Sequence, residues 1–136
     1  MASADELNDA EYAALADFRH ALRAFQAFSE LRVAEFGLTP QQHQALLAIR
    51  GAAQAGVTIG YIAERLILKP HSASGLVARL EASKLVTRRP SPVDGRQSVV
   101  ELTPKSRILL EQLSVVHRDE IMRLRPLLST LLNVFC

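Results

Sequence analysis

Cysteine is nearly missing from this chain. Its single thiol, Cys136, is the last residue, so no intramolecular disulfide can form and a reducing compartment is expected. Tryptophan is absent and aromatics are 5% of the chain. No stretch has the 18 or more consecutive apolar residues of a membrane-spanning helix. The opening M-A-S-A-D-E-L-N-D-A-E is acidic where a signal peptide is basic and then apolar. These features set the expectation of a cytoplasmic protein with no membrane partner. There is no G-x-x-x-x-G-K-[ST] loop, no nucleophile–base constellation and no paired catalytic carboxylates at helical spacing. An enzyme is not expected, nor a cofactor.

What remains is rich in helix formers. At 136 residues one domain with a real core is expected, here spanning 1–136. Residues are 49% hydrophobic and 22% charged, which excludes wholesale disorder. Leucine and alanine dominate and favour helix. The net charge of +2 is unevenly spread. Residues 1–57 hold four basic and seven acidic side chains, net −3. Residues 58–97 hold seven basic (Arg65, Lys69, Arg79, Lys84, Arg88, Arg89, Arg96) against three acidic, net +4. Residues 98–136 are net +1. A polyanion would be met in the middle segment.

Periodicity orders the elements. Leu15, Phe18, Leu22 and Phe25 step at three and four residues, widened by Ala21, Phe28 and Leu31, and predict one long helix over 7–36. Gly37 marks its stop. Thr39-Pro40-Gln41-Gln42 is a capping box with proline at the first helical position, and Leu46, Leu47 and Ile49 carry that second helix. Val57-Thr58 is a short extended piece. Thr58 caps a third helix through Ile62, Ala63 and Leu66. A tight connection, Leu66–Lys69, leads to Pro70 and a fourth helix with Leu76, Val77 and Leu80 inward. Two short helices joined this way match helix-turn-helix geometry. Val86–Arg89 and Ser98–Leu102 predict strands, with Val100 and Leu102 on one face. Pro90, Pro92, Asp94 and Gly95 make a turn between them. Thr103-Pro104 opens a fifth helix through Ile108, Leu110, Leu113, Val116, Ile121 and Leu124. Pro126 is expected to end or kink it, with 127–135 as a last apolar helix.

The fold class expected is mainly α with a small β-hairpin: a winged helix-turn-helix over 38–103. Long apolar helices, 7–36 and 104–135, flank it and suit a two-fold interface. On the fourth helix, Ser72, Ser74 and Arg79 should be exposed. Hydroxyls can serve bases or phosphates, and arginine can take guanine or clamp phosphate. His71 near the helix start could touch phosphate. Lys69, Arg88 and Gln97 are candidate backbone contacts.

The chain resembles the MarR (multiple antibiotic resistance regulator) family. The carrying residues are Leu38-Thr39 with Leu46-Leu47, Thr58-Ile59 with Ile62-Ala63 and Leu66, Val77 to Leu80, and Leu85-Val86 with Arg88. Asp94-Gly95-Arg96, running into Val100 and Leu102-Thr103, completes the pattern. The resemblance implies a homodimeric, ligand-responsive regulator, a repressor, on a pseudo-palindromic duplex. It implies that Arg96 enters the minor groove from the wing tip and that Asp94 holds the arginine or braces the turn. Three positions depart from the family pattern. Lys84 stands where a glycine usually ends the fourth helix. A left-handed backbone there would cost lysine about 1 kcal/mol more than glycine, which leaves the helix end open. Gly75 takes a position that often carries a longer side chain. A family glycine early in the fifth helix is replaced, with Ser106 nearby.

By the same analogy, His20, Phe28, His43, Leu47 and Leu110 could line a pocket for a small aromatic or phenolic effector. Some relatives sense zinc through ligands on the first, second and fifth helices, where His20, His43 and His117 fall. No cysteine accompanies them and Gln42 supplies no carboxylate beside His43, so no metal site is assigned and zinc sensing stays an alternative. Some relatives sense peroxide through an N-terminal cysteine, which this chain lacks. Cys136 at the chain end is expected to be incidental. A second alternative is a protein-docking module on the same fold, motivated by Gly75 and the modest net charge.

Overall fold

In the computed structural model residues 5–135 are described, so Cys136 lies outside them. Helix α1 spans Asp9–Glu35. It opens on a capping box: the Glu11 N–H donates to Asn8 Oδ1 at 2.9 Å, and the Asn8 N–H to Glu11 Oε1 at 3.2 Å. It closes at Gly37, whose φ of +74° lets the Leu38 N–H return to the Val33 carbonyl at 3.2 Å. Helix α2 (Pro40–Gly51) carries the expected Thr39–Gln42 capping box with both bonds formed. Strand β1 is Val57–Thr58, and Thr58 caps α3 (Ile59–Leu66) through the Tyr61 N–H. Helix α4 runs Pro70–Ala82, β2 Val86–Pro90, β3 Ser98–Leu102 and α5 Pro104–Phe135.

The strands form one antiparallel sheet in the order β1-β3-β2. Val57 faces Val100, and Val86 faces Leu102. Alternation puts Val100 and Leu102 inward with Val86, as the sequence predicts. Leu46, Ile62, Leu76, Leu80 and Val77 meet them in one core with Val33 and Leu113. Burying each such side chain contributes about 1.5–3 kcal/mol.

Two compact units divide inside the long helices. One comprises Arg32–Ser114. The other comprises α1 up to Leu31 and α5 from Val115. In the second unit His117 is buried. Its Nε2 lies 2.8 Å from Ser29 Oγ, and the Phe25 and Phe28 rings meet it edge-on.

Two expectations need correction. Pro126 does not end the fifth helix. α5 is continuous to Phe135, so the separate last helix merges into it. Proline forfeits only one ladder bond, while Leu124, Leu128 and the buried Leu131 continue a single stripe across it. The stripe read on α1 also divides. Ala14 and Ala21 are buried and Phe25 and Phe28 half-buried, but Leu15, Phe18, Leu22 and Leu31 remain exposed. The helix is apolar on more than one face, and its own chain covers only part of that surface.

Candidate nucleic-acid interface

Helix α4 is presented by a tight turn. Ile67 takes a left-handed backbone, φ +54°, so that the Leu68 N–H bonds the Ala63 carbonyl at 2.8 Å and α3 stops. A β-branched residue rarely adopts that conformation. Its side chain is 92% exposed, so the turn is held by backbone bonds and by half-buried Leu66 and Leu68.

Along α4 the faces separate at the helical period. Ala73, Leu76, Val77 and Leu80 are buried. His71, Ser72, Ser74, Ala78 and Arg79 are exposed. Gly75 lies mid-face. A Cβ there would sit 3.5 Å from the Arg79 guanidinium, an ordinary contact, so glycine is not sterically required. The middle of the face is low, flanked by hydroxyls and one arginine. Such a face admits close approach of another molecule's polar edges.

Lys84 ends α4 as a left-handed residue, φ +62°, despite its side chain. The Lys84 N–H bonds the Glu81 carbonyl at 3.0 Å and the Leu85 N–H the Leu80 carbonyl at 2.9 Å. This is the pairing a glycine usually provides, so the helix ends as it would with glycine. The hairpin base is tied to the same point. Thr103 Oγ1 donates to the Lys84 carbonyl at 2.8 Å and accepts the Ser106 N–H at 3.2 Å. Fully buried Ser106 accepts the Thr103 N–H in return at 3.1 Å. These bonds set the angle of the hairpin against α4.

The wing between β2 and β3 is ordered by its own side chains. The Ser91 hydroxyl accepts the N–H groups of Val93 and Asp94 at 3.2 and 3.3 Å. Asp94 Oδ1 accepts the backbone N–H of Arg96 at 3.0 Å. The Gln97 N–H bonds the Asp94 carbonyl at 3.0 Å, and the Ser91 N–H the Gln97 carbonyl at 2.8 Å. Of the two roles open for Asp94, this geometry is that of a brace. The Arg96 guanidinium is exposed and has no hydrogen bond or ion pair among the described residues.

The basic residues thus fall into two groups. Arg89 is tied by Nε and Nη2 to Glu101 Oε1 at 2.9 and 2.6 Å. Arg88, half-buried, lies 3.3 Å from Glu81 Oε1 through Nε, an ion pair without hydrogen-bond alignment. Both are engaged within the fold. Lys69, Arg79 and Arg96 are exposed and have no such partner among the described residues. The Gln97 side chain is exposed beside Arg96. Sequence reading missed Ser91, whose spacing before Asp94 is the only hint of its turn, and Thr103 as the hairpin anchor.

The effector candidates divide between the units. His20 is exposed and Phe28 packs on His117; both lie in the unit of α1 and late α5. In the other unit His43 and Leu110 are buried and Leu47 is exposed. Leu47 lines a cavity of about 350 Å³ with Tyr61 and Arg65, and Leu110 another of about 570 Å³. Among the described residues no three His, Cys, Asp or Glu side chains stand together as a metal would need. The residues offered for zinc therefore do not fit that ion.

A helix-turn-helix followed by a braced hairpin defines a winged-helix protein. Residues 36–97 match the model of the MarR family. The fold matches AbsC, a MarR family transcriptional regulator from Streptomyces coelicolor. That protein is 20% identical over 87% of this chain and 80% of its own, with a TM-score of 0.74. The S. aureus MepR–DNA complex matches at 22% identity over 89% and 85%, TM-score 0.71. BpsR of Bordetella bronchiseptica, whose DNA binding is regulated by 6-hydroxynicotinic acid, matches at 26% over 78% and 74%, TM-score 0.63. A search of curated protein sequences finds no match. Over residues 36–97 the chain is thus similar to the MarR family, and its fold is that of the MarR family structures.

Proposed function

We propose that this protein is a sequence-specific double-stranded DNA-binding regulator acting as a homodimer on a pseudo-palindromic operator. One observation carries the reading. A helix face bearing Ser72, Ser74 and Arg79 and a braced wing bearing the exposed Arg96 belong to one bonded unit. The helix face suits a major groove, where hydroxyls and a guanidinium meet base edges and phosphates. Arg96 suits a narrow minor groove, whose negative potential attracts a guanidinium. Lys69, His71 and Gln97 add backbone contacts that set affinity and salt dependence. Arg88 acts indirectly, by fixing β2 to α4.

The homodimer is supported by the exposed apolar side chains of α1 and α5. Leu15, Phe18 and Leu22 line one side of α1, and Ile121, Leu132 and Phe135 are open on α5. A single chain leaves such surface in water at a cost that a second copy removes. A small aromatic or phenolic effector acting on a repressor rests on likeness to BpsR, whose ligand is an aromatic acid. Selection from a random duplex pool tests the reading. Enrichment of an inverted repeat with half-sites about one helical turn apart is expected. A pool without enrichment would contradict it.

A further inference from the structure

We infer that the Asp94-Gly95 peptide of the wing is a site of spontaneous covalent modification, in which Asp94 becomes an isoaspartate and the wing loses its brace. The chemistry is intramolecular. The Gly95 amide nitrogen attacks Asp94 Cγ and a C–N bond forms. The amide proton and the carboxyl hydroxyl leave as water, and the product is a five-membered succinimide ring. Water then adds to a ring carbonyl. Attack at the main-chain carbon breaks its bond to the Gly95 nitrogen, so that the chain runs on through Cβ and Cγ. One water leaves and one returns, and no oxidant, cofactor or enzyme is needed.

The wing meets each requirement of that reaction. Asp94, Gly95 and Arg96 are exposed, so water reaches the peptide. The Gly95 N–H makes no hydrogen bond among the described residues, which leaves the attacking nitrogen unspent. Only two torsions, χ1 and ψ of Asp94, separate Cγ from that nitrogen. The 3.0 Å bond from the Arg96 N–H to Asp94 Oδ1 closes a ring that contains the Gly95 peptide. It holds the carboxyl folded along the chain on that side and lowers the entropy lost on ring closure. The Gln97 N–H donates to the Asp94 main-chain carbonyl at 3.0 Å, which makes its carbon a better target for water. Gly95 has no side chain to obstruct the ring, and the space where a Cβ would stand is open.

The other aspartates differ. Asp17 and Asp119 lie inside α1 and α5, where the next N–H is spent in the helix ladder. Asp5 and Asp9 are followed by Glu6 and Ala10, whose side chains crowd the ring. Asp94 alone among the aspartates precedes a glycine, and neither asparagine does. The product cannot keep the turn. Its main chain is longer by one carbon and its carboxylate stands on Cα, so the bonds to the Arg96 and Gln97 N–H groups no longer share their present geometry. Arg96 then leaves its place on the wing. That loss of duplex affinity rests on the DNA reading above, whereas the rearrangement itself does not.

Ageing of the full chain in neutral buffer at body temperature, without any duplex, tests the inference. An isoaspartyl carboxyl methyltransferase with labelled S-adenosylmethionine marks the new carboxylate, and tryptic digestion locates it. Label is expected in the peptide that ends at Arg96, accumulating over days and no more slowly than in a free peptide of residues 91–98. A form of that peptide with unchanged mass and altered retention should rise in step. Gly95→Ala should slow the labelling about fivefold, the difference in backbone freedom between the two residues, with an unchanged melting curve. Aged wild type should then bind the inverted repeat more weakly than fresh protein, in proportion to the label, while aged Gly95→Ala keeps its affinity. If fresh protein binds no duplex, the DNA reading fails and the label still decides the rearrangement. No label at Asp94, label slower than in the free peptide, or labelled protein that binds as tightly as fresh protein would overturn the inference.

Discussion

Two side chains occupy backbone positions that glycine would fill at less cost. Ile67 and Lys84 bracket α4, at φ +54° and +62°. Each carries about 1–2 kcal/mol of local strain, which the surrounding core holds in place. Lys84→Gly should therefore raise unfolding free energy by about 1 kcal/mol, read by urea denaturation, while Lys84→Ala should not, because the Cβ remains. Gly56 is the opposite case. A Cβ there would lie 2.5 Å from Val99 Cγ1 and 3.1 Å from the Val100 carbonyl oxygen. The side chain can shift, but the strand carbonyl cannot. Gly56→Ala should cost about 1–3 kcal/mol, and an unchanged denaturation midpoint would show that the β1–β3 edge is looser than described. The geometry of Asp94 also belongs to this scale. Sequence allowed it to hold Arg96 or to brace the turn, and only the geometry, with Oδ1 on the Arg96 backbone N–H, separates the two.

Elements were most legible where their determinants are local. The Thr39–Gln42 box, the Thr58 cap and Pro70 at a helix start each involve residues within four positions, and each forms where the spacing predicts. Val100 and Leu102 were legible because strand alternation is strict. Long-range choices were not. Proline chemistry argued for a break at Pro126, but packing by Leu124, Leu128 and Leu131 keeps α5 whole. Arg88 read as a candidate backbone contact and Arg89 only as part of the basic excess. Their partners Glu81 and Glu101 become neighbours only once the hairpin register and its seat on α4 are set. The Thr103–Lys84 bond, nineteen positions apart, belongs to the same group. Thr103→Val removes that bond and the cap of α5 together. It should lower stability by about 1–3 kcal/mol and weaken duplex binding as the wing loses its fixed angle. Loss of stability with undiminished duplex binding would show that the hairpin does not need this anchor.

For the whole molecule, charge and apolar surface are divided along the chain. The basic excess lies in residues 58–97, and the larger exposed apolar side chains of α1 lie well before it. The proposed two-fold regulator would use both: one surface to assemble, the other to read. Phe18→Glu, placing a charge on the open side of α1, should shift sedimentation from dimer to monomer. It should also weaken binding to an inverted repeat far more than to a single half-site, through lost avidity. A wild-type chain that sediments as a monomer at all concentrations would contradict the assembly.

The central claim is that the exposed Arg96 on a braced wing reads duplex DNA. Fluorescence anisotropy of the enriched duplex across a series of salt concentrations, with wild type and Arg96→Ala side by side, tests it most directly. Wild type should bind with an affinity that falls steeply as salt rises. Arg96→Ala should lose about 1–3 kcal/mol of binding and reduce the salt slope by about one per chain, with an unchanged melting curve. Equal affinity and equal slope for the two proteins would contradict the account.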